Sequence, residues 1–144
     1  EKKLNHALQE FKMYLKEFAD KYPNEEHFDV ARILREQGRL WKNKGYLIKA
    51  RHNTLEALKM QKRVYGKVVG ERADAHPTVA ATYTALGDIY VALQAWKDAD
   101  QAYKNAIQIN TKAFCTKYTE YNRRLYEKRA EMADQLRNTE KVLK

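Results

Sequence analysis

The chain contains few of the residues that interrupt helices or cross-link a fold. Its 144 residues include five glycines, two prolines and a single cysteine, Cys115. A single cysteine excludes an internal disulfide and weakly favours a reducing compartment. The shortage of glycine and proline argues against long loops. No run of about 18 apolar residues occurs, so no segment is predicted to span a membrane.

The patterns that carry catalysis are also missing. The five glycines stand singly, which excludes a glycine-rich phosphate loop. No two histidines lie three or four residues apart, so no single helix can hold a metal through a histidine pair; they are His6, His27, His52 and His76. We therefore predict a protein that is not an enzyme and has no catalytic residue, metal or cofactor. Cys115 follows Phe114 in an apolar stretch and is predicted to be a buried structural thiol.

Charge is abundant, and its imbalance lies in one segment. Charged residues make up 33% of the chain and hydrophobic residues 44%, which is typical of helices with one buried and one solvated face. The net charge is +9. Residues 31–67 hold eleven Lys or Arg and two Glu, so this segment accounts for the whole imbalance. The chain begins at Glu1 rather than Met, and we interpret it as a piece of a longer protein.

Apolar residues recur at helical spacing along nearly the whole chain, which predicts an all-α fold with about six helices. Pro23 ends the first helix, Gly45 separates the next two, and Gln94 and Ala95 mark a later turn. Residues 110–143 are predicted to be mostly helical, with a break near residues 117–119. The first three helices are predicted over residues 3–21, 29–43 and 46–65.

Residues 76–109 combine small and aromatic residues at fixed spacing. Gly and Ala on the inward faces let two helices approach closely, and we expect Gly87 and Ala99 to lie at that crossing. The spacing resembles a tetratricopeptide repeat, and His76-Pro77 is similar to the linker of kinesin-light-chain-type repeats, although Thr111 replaces the closing proline. The matching residues are Tyr83, Leu86, Gly87, Tyr90, Ala99, Tyr103 and Ala106.

A second copy of the pattern lies 49 residues earlier. Phe28 there replaces Pro77, and Thr54 replaces Tyr103. The period is longer than the usual repeat of about 34 residues. The resemblance covers residues 27–114 and implies stacked antiparallel hairpins, a tetratricopeptide-like α-solenoid. The equivalent pairs include His27 and His76, Gly38 and Gly87, Ala50 and Ala99, and Ala57 and Ala106.

The repeats divide the chain into a single array over residues 1–144. Recurrence at the linkers predicts that His27 and His76 cap helices, and Asp29 is a further candidate for a cap. The last helix either caps the array or continues as a short coiled coil, so flanking repeats or self-association through it are open alternatives. The predicted parts are an N-terminal helix (1–26), repeat one (27–75), repeat two (76–118) and a terminal helix (119–144).

The predicted binding residues lie on the first helix of repeat one, opposite its buried face. They are four cations at spacings of 3, 4 and 3 with a neighbouring amide: Arg32, Arg35, Arg39, Lys42 and Asn43. In tetratricopeptide domains the first helices line the concave side, where such residues commonly hold acidic peptides. The resemblance therefore implies a cytoplasmic or cytoskeleton-associated scaffold that binds an acidic peptide or an acidic partner surface, through an Arg fork that suits carboxylate.

Three other interpretations stay open. The stripe can be a solvated face, the chain can be a spacer in a larger assembly, or the same cations can bind nucleic acid or another polyanion. Most Tyr and Trp residues fall on predicted inward faces, which disfavours nucleic acid because few rings are left for base stacking. No membrane partner is expected.

Overall fold

Six helices form nearly all of the chain that the structure describes. The computed structural model describes residues 2–23, 27–69 and 76–143. No strand occurs within these ranges, so the prediction of an all-α fold is confirmed. The helices are α1 (Lys2–Lys21), α2 (Phe28–Asn43), α3 (Leu47–Val69), α4 (Pro77–Ala92), α5 (Trp96–Phe114) and α6 (Glu120–Leu143).

The helices pack mainly against their neighbours in the chain. Helix α2 packs on α3, and α4 packs on α5, with short turns that make each pair an antiparallel hairpin. Helix α3 joins the two hairpins by packing on α4, and α6 packs on α5. Helix α1 contacts α2 alone among the main pairings of the described residues. The core therefore lies between the two hairpins and under α6.

Fully buried alanines line the contacts within each hairpin. Ala50, Ala57, Ala99 and Ala106 are all 0% exposed. Because a methyl group is the whole side chain, the backbones of the paired helices can approach closely at these positions. Larger side chains fill the space around them. The largest of these in the core are Leu58, Tyr65, Leu86, Tyr103, Ile107, Ile109, Leu125 and Met132, with Tyr83 and Tyr90 packed partly buried against them.

Two glycines lie where the paired helices come closest. A Cβ atom on Gly87 would lie 2.5 Å from Cε1 of Tyr103, well inside van der Waals contact. The Tyr103 ring, one turn beyond Ala99, is therefore the first group that a side chain at Gly87 would meet. In the other hairpin, a Cβ on Gly38 would meet the Thr54 hydroxyl. Both hairpins thus depend on the missing side chain at the same position.

Histidine caps both of these hairpins at their first helix, which confirms the prediction for His27 and His76. Nδ1 of His27 accepts a hydrogen bond from the Asp29 amide at 3.1 Å, and Nδ1 of His76 accepts one from the Thr78 amide at 3.2 Å. The His76 ring also stacks on Tyr65, with centroids 4.1 Å apart. Asp29 lies inside the first turn and is not the cap.

Two local predictions are wrong. Helix α3 continues through Gly66 to Val69, four residues beyond its predicted end at Tyr65. Cys115 is exposed rather than buried. Helix α5 ends at Phe114, and Cys115 takes a left-handed φ of 55°, the usual conformation just beyond a helix end, which places its thiol outside the core. The linker residues 70–75 lie outside the described ranges.

Substituting Gly87 with Ala should destabilise the fold by about 1–3 kcal/mol, because the new methyl group overlaps the Tyr103 ring. Gly66→Ala is the matched control, since it adds the same methyl group to a helix in open space and should stabilise by about 0.5–1 kcal/mol. Urea unfolding followed by circular dichroism measures both. Equal effects at the two positions would contradict the close crossing.

Substituting His76 with Ala should cost about 0.5–2 kcal/mol, because the Thr78 amide loses its acceptor. His76→Asn should recover part of this loss, since an Asn side chain can also accept the capping bond but cannot stack on Tyr65. Thermal melting of the three proteins measures the difference. If Asn and Ala are equally destabilising, the capping bond contributes little.

Candidate interaction surface

Helices α2, α4 and α6 lie side by side and form one face of the molecule. Nη1 of Arg35 on α2 donates to the Thr78 carbonyl of α4 at 3.4 Å. From α6, the Tyr121 hydroxyl donates to the Ala80 carbonyl of α4 at 3.3 Å. The two first helices of the hairpins are therefore adjacent, and α6 extends the row. We call this row the α2–α4–α6 face.

The predicted stripe lies on α2, but its cations differ in their surroundings. Arg32, Arg39 and Asn43 are exposed, whereas Arg35 and Lys42 are half-buried. Nη2 of Arg32 lies 3.5 Å from Asp29, and Nε of Arg39 lies 3.0 Å from Glu36. Exposed pairs of this kind contribute about 0–1 kcal/mol, so the carboxylate of a partner can replace the internal acid at little cost.

A balanced group of charges occupies the middle of the face. Oδ1 of Asp88 accepts hydrogen bonds from the Tyr103 hydroxyl at 2.6 Å and from Lys128 Nζ at 2.8 Å. Lys42 and Glu131 line the same cavity of about 210 Å³. Because Lys42 and Lys128 face the carboxylates of Asp88 and Glu131 here, this group carries no net charge.

The Asp88 group was not predicted from the sequence. Lys128 lies on α6, which is outside the 49-residue self-similarity. Nothing in the sequence pairs it with Asp88, 40 positions away. The presence of a lone acid on the otherwise uncharged exterior of α4 was the one available signal.

Buried amides fix α6 on α5. Asn122 is 0% exposed, and its Oδ1 accepts a hydrogen bond from Nδ2 of Asn110 at 3.2 Å. Its own amide donates to Thr111 Oγ1 at 3.1 Å and to the Lys117 carbonyl at 3.2 Å. Nε of Arg129 adds an ion pair to Asp100 at 2.9 Å. The third member of the face is therefore held by directional bonds as well as by apolar packing.

The prediction that most Tyr and Trp residues face inward is wrong, because six of these twelve residues are exposed. All six are tyrosines, and the most open is Tyr118 at 84%. The tyrosines on the helices of the two hairpins are buried or half-buried as expected. The exposed ones lie on or beside α1, at the α2–α3 turn, and on or beside α6, where no further helix covers them. They are Tyr14, Tyr22, Tyr46, Tyr118, Tyr121 and Tyr126.

None of the helices in the described part of the chain combines the length and the apolar composition that a membrane span requires. Within the same residues, no three His, Cys, Asp or Glu side chains are grouped to hold a metal ion. Comparisons with protein-family models and with curated proteins found no match. The resemblance to tetratricopeptide repeats therefore rests on the residues of this chain, and its function must be argued from its surfaces.

Tyr103 should make the stability of the fold sensitive to alkaline pH. Burial, and then the hydrogen bond and charge of Asp88, raise the pKa of its hydroxyl well above the usual value of about 10. The unfolded chain therefore ionises first, so stability is complete below about pH 10 and falls as pH rises above it. Urea unfolding of the wild type and of Tyr103→Phe measures this fall.

The Tyr103→Phe protein should lose less stability between neutral and alkaline pH than the wild type. At neutral pH its free energy of unfolding should be lower than that of the wild type by about 0.5–1.5 kcal/mol, because the hydrogen bond to Asp88 is gone. Parallel pH profiles in the two proteins would show that Tyr103 ionises in the folded state, contrary to this expectation.

Proposed function

We propose that the chain is a tetratricopeptide-like solenoid segment that serves as a protein-interaction scaffold and has no catalytic role. Two hairpins with the same capping histidine, the same crossing glycine and the same buried alanines support the repeat. Their order in the chain, with each hairpin packed on the next, is the arrangement that such an array requires. The α2–α4–α6 face then corresponds to the concave side of a solenoid.

The ligand that fits this face best is an acidic peptide or an acidic partner surface. The observation that carries the proposal is the position of the stripe: the exposed Arg32 and Arg39 stand on the same helix as Arg35, which contacts α4. A guanidinium offers parallel donors to a carboxylate. Several cations along one helix also steer an acidic ligand and set its register. Asn43 can add a hydrogen bond to the peptide backbone.

A second candidate is the binding of nucleic acid or another polyanion through the same stripe. The exposed Tyr121 on the α2–α4–α6 face favours it, because an aromatic ring beside cations is a stacking platform for a base. The acidic peptide remains the better fit, since the balanced Asp88 group in the middle of the face leaves no continuous row of free cations for a phosphate backbone to follow.

The test replaces Arg32 and Arg39 together with Gln. Arg35 is left intact because its bond to the Thr78 carbonyl also joins α2 to α4. Binding of a fluorescein-labelled Glu/Ser peptide, followed by anisotropy, should weaken by about tenfold or more, and wild-type binding should weaken with salt. Lys59→Gln with Lys62→Gln removes the same charge from α3 and is the control.

A much smaller loss of peptide affinity in the control pair supports binding at the α2–α4–α6 face, provided that circular dichroism shows unchanged helicity in both proteins. Equal losses indicate a diffuse field and favour the polyanion, which a single-stranded oligonucleotide of the same charge then tests directly. If neither pair affects binding, the stripe is only a solvated face.

A further inference from the structure

The turn between α2 and α3 presents exposed apolar side chains at one end of the molecule. Gly45 takes a φ of +90° there, and Tyr46 and Ile48 directly after it are 52% and 59% exposed. Trp41, from the last turns of α2, meets the Tyr46 ring edge-on with centroids 5.4 Å apart. Arg32, near the start of α2, is separate from this turn, whereas Arg39 lies only about one helical turn before the end of α2.

Lysines surround these rings without carboxylate partners. Lys49 Nζ lies 4.6 Å from the centroid of the Trp41 ring, and Lys44 Nζ lies 5.5 Å from it. No ion pair joins either lysine to an acid in the described part of the chain, whereas Lys59 further along α3 is paired with Glu56. The sequence explains the contrast, because residues 37–55 contain five Lys or Arg and no Asp or Glu.

The start of α1 brings a further cation to the same end. Lys44 Nζ donates to Oδ1 of Asn5, in the first turns of α1. Lys2 lies three positions before Asn5, on the same side of the helix, and is exposed. Two segments that are distant in the sequence therefore meet. We call this group the basic turn surface; it consists of Lys2, Trp41, Lys44, Tyr46, Ile48 and Lys49.

We propose that the basic turn surface binds the face of a membrane that contains anionic lipids. Tyr46 and Ile48 enter the headgroup region, where an aromatic ring and an aliphatic chain leave water, and the lysine ammonium groups pair with lipid phosphates and carboxylates. Neither the apolar side chains nor the lysines suffice alone, because reversible binding to a membrane surface combines apolar burial with several nearby cations. This contact goes beyond the proposed binding of an acidic peptide and uses different residues.

Two observations favour a lipid surface over other anionic partners. The ammonium groups of Lys44 and Lys49 already lie over the Trp41 and Tyr46 rings, so those faces are not free to stack on nucleic-acid bases. A purely acidic polypeptide would pair with the lysines but leave Ile48 in water. The sequence-based expectation of no membrane partner came from the absence of a spanning segment, and a contact from one side needs none.

The test measures co-sedimentation of the protein with vesicles of phosphatidylcholine alone and of phosphatidylcholine mixed with phosphatidylserine. We expect binding to the mixed vesicles only. Lys44→Glu with Lys49→Glu should weaken it by more than tenfold, since each cation near an anionic surface contributes about fivefold. Lys59→Glu with Lys62→Glu, an equal change in net charge, should have a much smaller effect. Binding to neither kind of vesicle would overturn the proposal.

The contribution of the apolar side chains to vesicle binding is tested by Ile48→Ser, which removes an exposed apolar side chain and should leave helicity unchanged. It should weaken binding to the mixed vesicles several-fold. In a Trp96→Phe background, Trp41 is the single tryptophan, and its emission should shift to shorter wavelength with mixed vesicles. An unchanged affinity in Ile48→Ser, or an equal loss in the two lysine pairs, would mean a general polyanion field and overturn the proposal.

Polyglutamate and a single-stranded oligonucleotide serve as soluble polyanion probes. If either binds as tightly as the mixed vesicles and shifts the Trp41 emission equally, the surface recognises charge alone and the lipid assignment is wrong. Arg32→Gln should leave vesicle binding within about twofold of wild type, because Arg32 lies about three helical turns before the end of α2. This variant therefore separates a failure at the basic turn surface from a failure at the α2–α4–α6 face.

Discussion

The close approach of paired helices is the constraint on which the rest of the structure depends. Each hairpin brings two backbones together at a glycine and two buried alanines. A crossing of this kind leaves room for few large side chains within a hairpin. The Tyr103 ring fills the space at Gly87 in the second hairpin, and Tyr65 of the first hairpin belongs to the same buried cluster, which joins the two hairpins. The row of α2, α4 and α6 follows from it, because hairpins stacked in this way place their first helices side by side.

Each capping histidine contacts both the helix that it begins and the end of the helix before it. A histidine side chain is large enough to accept a bond from its own helix and to touch the end of the preceding helix at once. At His76 the ring both binds the Thr78 amide and lies flat on Tyr65. His27 repeats the arrangement more loosely, with its ring 5.9 Å from Phe18. The junction between consecutive hairpins is therefore specified by one residue type at one position.

The sequence predicted what depends on local periodicity. The helices, the turn at Gln94, the break before α6 and the small residues inside the hairpins all repeat with the helical period or with the 49-residue shift. Contacts between elements were harder to predict. Asp88 and Lys128 belong to helices that no shared pattern relates. Cys115 and the exposed tyrosines were assigned from hydrophobicity, but their burial depends on which helices cover them, and that information is not local. The roles of Arg32 and Arg39 remain predictions.

The buried pair Asn110 and Asn122 has a consequence for how α6 can move. If α6 slid along α5 by one turn, about 5.4 Å, the amide of Asn122 would leave Asn110, Thr111 and the Lys117 carbonyl together. Unpaired amides in an apolar contact are costly, and no intermediate position satisfies them. Helix α6 therefore packs on α5 in a single register, and the alternative to this position is detachment. A force applied along α6 would be resisted until these amide hydrogen bonds break together, so α6 should detach from α5 in a single step and not slide along it.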